Sequence, residues 1–294
     1  MNMVRWAGPV CAAVVLLGDG RVPASAGGFV QASAVPEAGP SKMVLEPKGS
    51  LVIVGGGGMP DSVRKKFIEL AGGKEKARIV VIPTASEDAD AKGPELDEFL
   101  EPWRKQGVAA PKLVHTRSRE RGNDPEFTRS IDEATGVWFS GGDQSRITEA
   151  YLGTKTEQAF RRVLERGGVI GGTSAGAAIM SKVMITGGGE KATVGSGLGY
   201  VPGAVFDQHA LKRSRVNRLL GVLADHPGLI GIAVDESTAL VVKGDGWQVL
   251  GRSYVVFCRP AAPGQSARFD FFSEGDRGKF GEWKSPPSNA RGDR

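Results

Sequence analysis

Gly168-Val169-Ile170-Gly171-Gly172-Thr173-Ser174-Ala175-Gly176-Ala177-Ala178-Ile179-Met180 places an apolar run, a turn of small residues and an alanine-rich helix start in direct succession. The run predicts a buried strand and the alanines a helix, so Ser174 falls on a strand-to-helix junction. A serine nucleophile needs its hydroxyl exposed on a strained backbone, with a free N–H beside it for a developing oxyanion. Small residues two positions before and after, here Gly172 and Gly176, permit such a turn. A helix N-terminus at that point adds a favourable dipole. The plainer reading is a glycine-rich turn with an incidental serine, since the chain holds 43 glycines.

The same grammar extends upstream. Residues 51–54, 77–82, 112–115 and 134–139 read as short apolar strands, the first ending in four glycines and the second stopped by Pro83. Residues 61–70, 95–106 and 156–166 read as helices between them, with Asp61 as a candidate cap. Continuously apolar strands alternating with helices predict an α/β three-layer sandwich around a mostly parallel central sheet. Downstream the rhythm shifts. Residues 230–234, 239–242, 247–250 and 254–257 follow without helices between them and are expected to extend that sheet as hairpin strands.

The ends are expected to lie outside this fold. Residues 1–26 combine Arg5, an apolar run over 6–17 and Ala24-Ser25-Ala26, which reads as a signal peptide for export to the periplasm or the medium. The run is short for a bilayer span, and an uncleaved anchor is the alternative. Residues 27–48 read as a linker, 49–282 as one catalytic domain and 283–294, with Pro286-Pro287, as a disordered tail. Cleavage would remove Arg5, Arg21 and Asp19, two positive charges and one negative, and lower the net charge from +5 to +4. Cys258 would then stand alone, which excludes an internal disulfide and a cysteine metal site. Lysines and arginines are scattered rather than striped, so a nucleic-acid partner is not expected. No histidine or cysteine cluster has ligand spacing, and neither metal nor cofactor is expected.

A serine at its ordinary pKa needs a base. Of His115, His209 and His226, His209 has the best setting, following the apolar Val205-Phe206 in Asp207-Gln208-His209; His226 before Pro227 suits a helix end. Glu236, at the end of the 230–234 strand, is the candidate acid, with Asp235 as competitor on the opposite face. Gly141-Gly142-Asp143-Gln144 closes another strand: its glycines are candidates for an oxyanion N–H, Gln144 for a substrate amide, and Asp143 for a helix cap. Arg213, Arg215 and Arg218 follow His209 on an expected helix, Arg215 and Arg218 sharing a face; they suit carboxylate recognition or a solvated surface.

Taken together, the stretches 141–144, 171–177, 207–218 and 235–240 resemble the cyanophycinase family of serine peptidases, which share the class I glutamine amidotransferase-like fold. The resemblance implies Ser174 as nucleophile, His209 as base and Glu236 as its orienting acid. It also implies an oxyanion hole at Gly142 and Ala175. Gln144, Asp207, Gln208, Arg213, Arg215 and Arg218 would then line the substrate site. The family releases β-aspartyl-arginine dipeptides from cyanophycin, an arginine-decorated polyaspartate, and a homodimer is compatible with it. Two positions depart from its pattern: Ala210 stands where an aromatic residue is common, and Asn217 where glycine is frequent. The competing expectations are a dipeptidase for short aspartyl or isoaspartyl peptides and a non-catalytic binding protein of the same fold.

Overall fold

The computed structural model describes residues 48–259 and 266–283. The expected signal peptide and nearly all of the expected linker and tail lie outside these residues. The parallel half of the main sheet comprises β1 (Ser50–Val54), β2 (Ile79–Ile82), β3 (Lys112–Leu113), β4 (Gly136–Phe139) and β5 (Val169–Thr173), in the spatial order β1-β5-β4-β2-β3. β1, β2, β4 and β5 are buried on both faces, which is why the sequence reads as unbroken apolar runs, whereas β3 lies at the edge with Lys112 exposed. Along β1, Leu51 and Ile53 enter one core and Val52 and Val54 the other, as the period of two requires.

Helices cover both faces. On one, α1 (Asp61–Leu70) and α2 (Pro94–Lys105) bring Phe67 and Trp103 against Trp138, with ring centroids 5.2–5.3 Å apart. Burying aromatics of this size contributes about 2–3 kcal/mol each. Asp61 is the first residue of α1 rather than its cap; Pro60 holds the cap position, and the Asp61 carboxylate accepts from Arg64 and Gln106 instead. The opposite face carries α4 (Pro125–Asp132), after the single turn α3 (Arg119–Gly122), then α5 (Gln144–Tyr151) and α6 (Lys155–Glu165). Asp143 caps α5, its carboxylate accepting from Ser145 N at 2.8 Å.

After the one-turn α7 (Ala175–Ala178), the chain departs from a single extended sheet. A hairpin of β6 (Val183–Gly187) and β7 (Thr193–Ser196) comes first. Then β8 (Ala204–Gln208), α8 (Val216–Asp225) and β9 (Ile230–Val234) form a parallel strand–helix–strand unit that is not an addition to the main sheet. β10 (Thr238–Lys243) and β11 (Gly246–Gly251) return to extend the main sheet beyond β1. β12 (Val255–Arg259) and β13 (Arg268–Phe272) join β9 and β8 in a second sheet of order β13-β12-β9-β8, while β14 (Arg277–Lys279) completes the main one. Two of the four expected hairpin strands, those at 230–234 and 254–257, therefore belong to a separate sheet. The chain changes sheets at residues 235–237, where Ser237 takes a left-handed φ of 54°. Trp283, assigned with the tail by composition, is 6% exposed and packs edge-on to Phe257 at 5.4 Å.

Candidate active site

Ser174 follows β5 directly and adopts φ 51°, ψ −105°, a conformation that L-residues rarely populate. The flanking glycines make the turn possible. A Cβ on Gly172 would stand 2.6 Å from the Gly176 backbone, and one on Gly176 would stand 2.5 Å from Phe139 O. The helix behind the serine is one turn long, so it offers individual N–H groups rather than a summed dipole.

Three consecutive carbonyls at the end of β1 gather the segments that the sequence singled out. Val54 O accepts from Ser174 N at 3.0 Å, Gly55 O from His209 N at 2.7 Å, and Gly56 O from Ser237 N at 2.8 Å. The result is a hydrogen-bonded line: Ser174 Oγ to His209 Nε2 at 2.9 Å, and His209 Nδ1 to Glu236 Oε1 at 2.6 Å. A carboxylate can only accept, so Nδ1 carries the proton and Nε2 is free to accept from the serine hydroxyl. His209 itself has φ 51°, and its ring lies against Gly56, where a Cβ would be 2.2 Å from Cε1. Gly57, with φ +67°, lies beside Glu236, where an added Cβ would be 3.0 Å from the Glu236 Cβ. The four-glycine run after β1 was visible in the sequence, but its role as the floor under the histidine and the acid was not.

Burial holds the His209 imidazole below its ordinary pKa; the bond to Glu236 opposes this, and the charges of Arg213 and Arg215 add to the lowering. The neutral, proton-accepting form is thereby favoured near neutral pH. Asp235, the competitor for the acid, points elsewhere. Its carboxylate accepts from Leu211 N, Lys212 N and Ser253 Oγ, and so ties down the turn that follows His209. Burial pushes its pKa up, and these bonds more than reverse that.

Beside the serine, an added Cβ on Gly141 would lie 3.5 Å from Ser174 Cβ. Gly142 has φ +133° and presses on Ala85 O, which a Cβ would approach to 2.1 Å. Among the described residues, neither Gly142 N–H nor Ala175 N–H has an internal hydrogen-bond partner, which suits the donors of an oxyanion hole.

The remaining residues of interest divide by their partners. Gln144 is buried, its amide donating to Ile185 O at 2.8 Å and Thr186 O at 2.9 Å, so it clamps the β6–β7 hairpin. Asp207 and Arg218, 1% and 3% exposed, form a bidentate pair at 2.6 and 2.8 Å, and Arg218 also reaches Gly188 O at the hairpin tip. Their charges are engaged with each other. Of the three arginines only Arg218 lies inside α8; Arg215 stands at its cap position, bonded to Gln208 O at 3.0 Å, and Arg213 is exposed in the preceding turn. Gln208 is 5% exposed, and its Oε1 has no partner among the described residues. Ala210 is fully buried under α8 with Leu219 and Val205, and Asn217 is exposed in the first turn of α8. His226 ends α8, as its sequence setting predicts. Cys258 is buried in the second sheet, its thiol pushed up to about 12 by burial.

Against known proteins, the model of peptidase family S51 matches residues 51–250. The cyanophycinase of Trichormus variabilis is 35% identical over 198 residues, 64% of this chain and 65% of that protein. The cyanophycinase of Geminocystis herdmanii is 33% identical over 222 residues, 71% of this chain and 79% of that protein. The chain thus spans just under two thirds of the Trichormus relative. Among solved structures, a peptidase from an acI-B1 Actinobacterium superposes with a TM-score of 0.63 at 25% identity, covering 81% of this chain and 98% of that one. A putative peptidase E from Listeria monocytogenes shares the fold, with a TM-score of 0.50 at 15% identity over 70% of this chain and 99% of that one.

Proposed function

This chain belongs to peptidase family S51, and from that premise we propose that it is an exported serine-type exopeptidase that cleaves cyanophycin to β-aspartyl-arginine dipeptides. The observation that carries the proposal is the line from Glu236 through His209 to a serine on a strained turn.

In this reading Ser174 Oγ attacks the scissile carbonyl while His209 Nε2 takes its proton. Glu236 keeps the proton on Nδ1 and stabilises the imidazolium. The oxyanion that forms meets the N–H groups of Gly142 and Ala175. Collapse of the tetrahedral adduct expels the amine, which receives the proton from His209 and leaves Ser174 acylated. Water then repeats the sequence, with His209 again as base, and frees the dipeptide.

Arg213 and Arg215 are the arginines left to meet substrate carboxylates, because Arg218 is committed to Asp207. The Asp207–Arg218 pair and Gln144 support the substrate site by holding the β6–β7 hairpin beside it. The orphan Gln208 Oε1 supports a hydrogen bond from a substrate donor such as an amide or guanidinium.

Purified protein incubated with insoluble cyanophycin should clear the suspension and release β-aspartyl-arginine, and Ser174→Ala should do neither. Failure to hydrolyse the polymer together with cleavage of short β-aspartyl peptides would move the assignment to a dipeptidase. Binding of the polymer without any hydrolysis, and without covalent labelling of Ser174 by a serine-directed reagent, would leave a binding protein. Export follows in the same proposal from residues 1–26; a mature N-terminus beginning inside the predicted signal would contradict cleavage after Ala26.

A further inference from the structure

Gly142 packs against the backbone of Ala85 and Ser86, a segment held by side chains that the hydrolytic mechanism does not use. The residues after β2, Thr84-Ala85-Ser86, pass beneath it, and each of their carbonyls is spoken for. Ala85 O accepts from Asp143 N at 2.9 Å and from Arg146 Nη1 at 3.2 Å. The carbonyls on either side, Thr84 O and Ser86 O, both accept from one guanidinium: Arg117 Nη1 bonds Thr84 O, and Nη2 bonds Ser86 O at 2.8 Å.

That guanidinium is itself fixed in plane. Arg117 Nε bonds Asp90 Oδ2 at 2.9 Å, and the other oxygen of Asp90 pairs with His115 Nε2 at 2.9 Å. His115 Nδ1 returns to Thr84 Oγ1 at 2.9 Å, which also meets Tyr151 OH at 2.7 Å. A planar fork spanning two carbonyls fixes the peptide planes between them, which a point charge on a flexible stem does not. The peptide so fixed is the one whose oxygen touches Gly142. A Cβ built on Gly142 would stand 2.1 Å from that oxygen, and the same oxygen accepts from Asp143 N at 2.9 Å, so the Ala85 carbonyl is in contact with the Gly142–Asp143 backbone.

We propose that Arg117 is a positioning residue for the oxyanion hole: by bridging Thr84 O and Ser86 O it sets the Ala85 carbonyl, and through it the direction of Gly142 N–H. This inference rests on the serine-peptidase reading. A hydrogen-bond donor turned away from a developing charge loses much of what it contributes, and losing one such donor outright costs about 10²–10³ in rate.

The test reads the second-order rate at which a fluorophosphonate labels Ser174, since the phosphoryl oxygen of the reagent occupies the oxyanion position whatever the natural substrate. Arg117→Met should slow labelling about 10–100-fold while leaving the acid limb of its pH profile, which reports His209, where it is in the wild type. Arg117→Lys keeps a charge for Asp90 but cannot span both carbonyls, so it should stay nearer to Met than to Arg; it serves as the readout if the Met variant fails to fold. On a hydrolysed substrate, kcat should fall with KM unchanged. Labelling within twofold of wild type in a folded variant would overturn the proposal, and so would a slowed rate accompanied by a moved His209 limb. An unreactive Ser174 in the wild-type protein would instead overturn the functional reading beneath it.

Discussion

Among the described residues two carboxylate–imidazole–hydroxyl chains occur, and their bond lengths differ little. At the ends of β5, β8 and β9 the chain is Glu236–His209–Ser174, with contacts of 2.6 and 2.9 Å. Beyond the end of β2 it is Asp90–His115–Thr84, with contacts of 2.9 and 2.9 Å. What separates them is the hydroxyl. Thr84 is fully buried and its oxygen is shared with Tyr151, whereas Ser174 is part-exposed on a backbone with positive φ beside two N–H groups that have no internal partner among the described residues. The acids differ in the opposite sense: the Asp90 side chain is 60% exposed and that of Glu236 29%. A relay geometry is therefore not a nucleophile. Access for a carbonyl and donors for its oxygen make the difference; on the proposed function the first relay is the one that serves chemistry, and the second is assigned a structural role.

The contrast is broken most forcefully by removing each hydroxyl. Ser174→Ala should lower hydrolysis by at least about 10⁴-fold without lowering the thermal midpoint; residual turnover above a hundredth of wild type would show that the line is not what it resembles. Glu236→Gln preserves shape but loses the charge that selects the tautomer, and a fall of about 10³–10⁴ in kcat is expected from steady-state rates. Thr84→Val should appear chiefly in stability. It strips partners from His115 and from the buried Tyr151 hydroxyl, at a cost of about 1–3 kcal/mol, read as a lower urea midpoint. An unchanged midpoint would remove the structural role assigned to the second relay.

The smallest effect concerns pH. Because burial and the nearby arginine charges lower the His209 pKa, its neutral form persists into more acid solution, and the acid limb of kcat/KM should lie below pH 6.5. Arg213→Ala removes one positive charge that disfavours the imidazolium, so the limb should move to higher pH. A shift in the other direction would contradict the electrostatic account.

The parallel strands and the serine turn were legible because both write local signatures: strands buried on both faces read as continuous apolar runs, and the turn demands glycine at 172 and 176. His209 and Glu236 were legible as polar residues just beyond apolar strands. The second sheet was not. Strands 230–234 and 254–257 have the same apolar character as 239–242, and only the path of residues 235–237 assigns them elsewhere. Left-handed backbone at Ser174, His209 and Ser237 has no glycine to announce it. The mutual engagement of Asp207 and Arg218 depends on the turn between β8 and α8, and the grip of Arg117 on residues 84–86 joins positions far apart in the chain. Such pairings are properties of the packed chain, not of any window of it.

The three carbonyls at residues 54–56 also impose an order of events. Val54 closes β1, the first strand among the described residues, and Gly55 and Gly56 follow it, yet the groups they hold arrive at 174, 209 and 237, late in synthesis of the domain. β1 has neighbours from residues 169–173 on one side and 238–243 on the other, so it must wait for distant sequence before its place in the sheet is closed. Contacts of such high sequence separation form late and slowly. The nascent chain consequently holds the serine, the imidazole and the carboxylate apart until the last of these strands docks, and the line they form is assembled only with the finished fold.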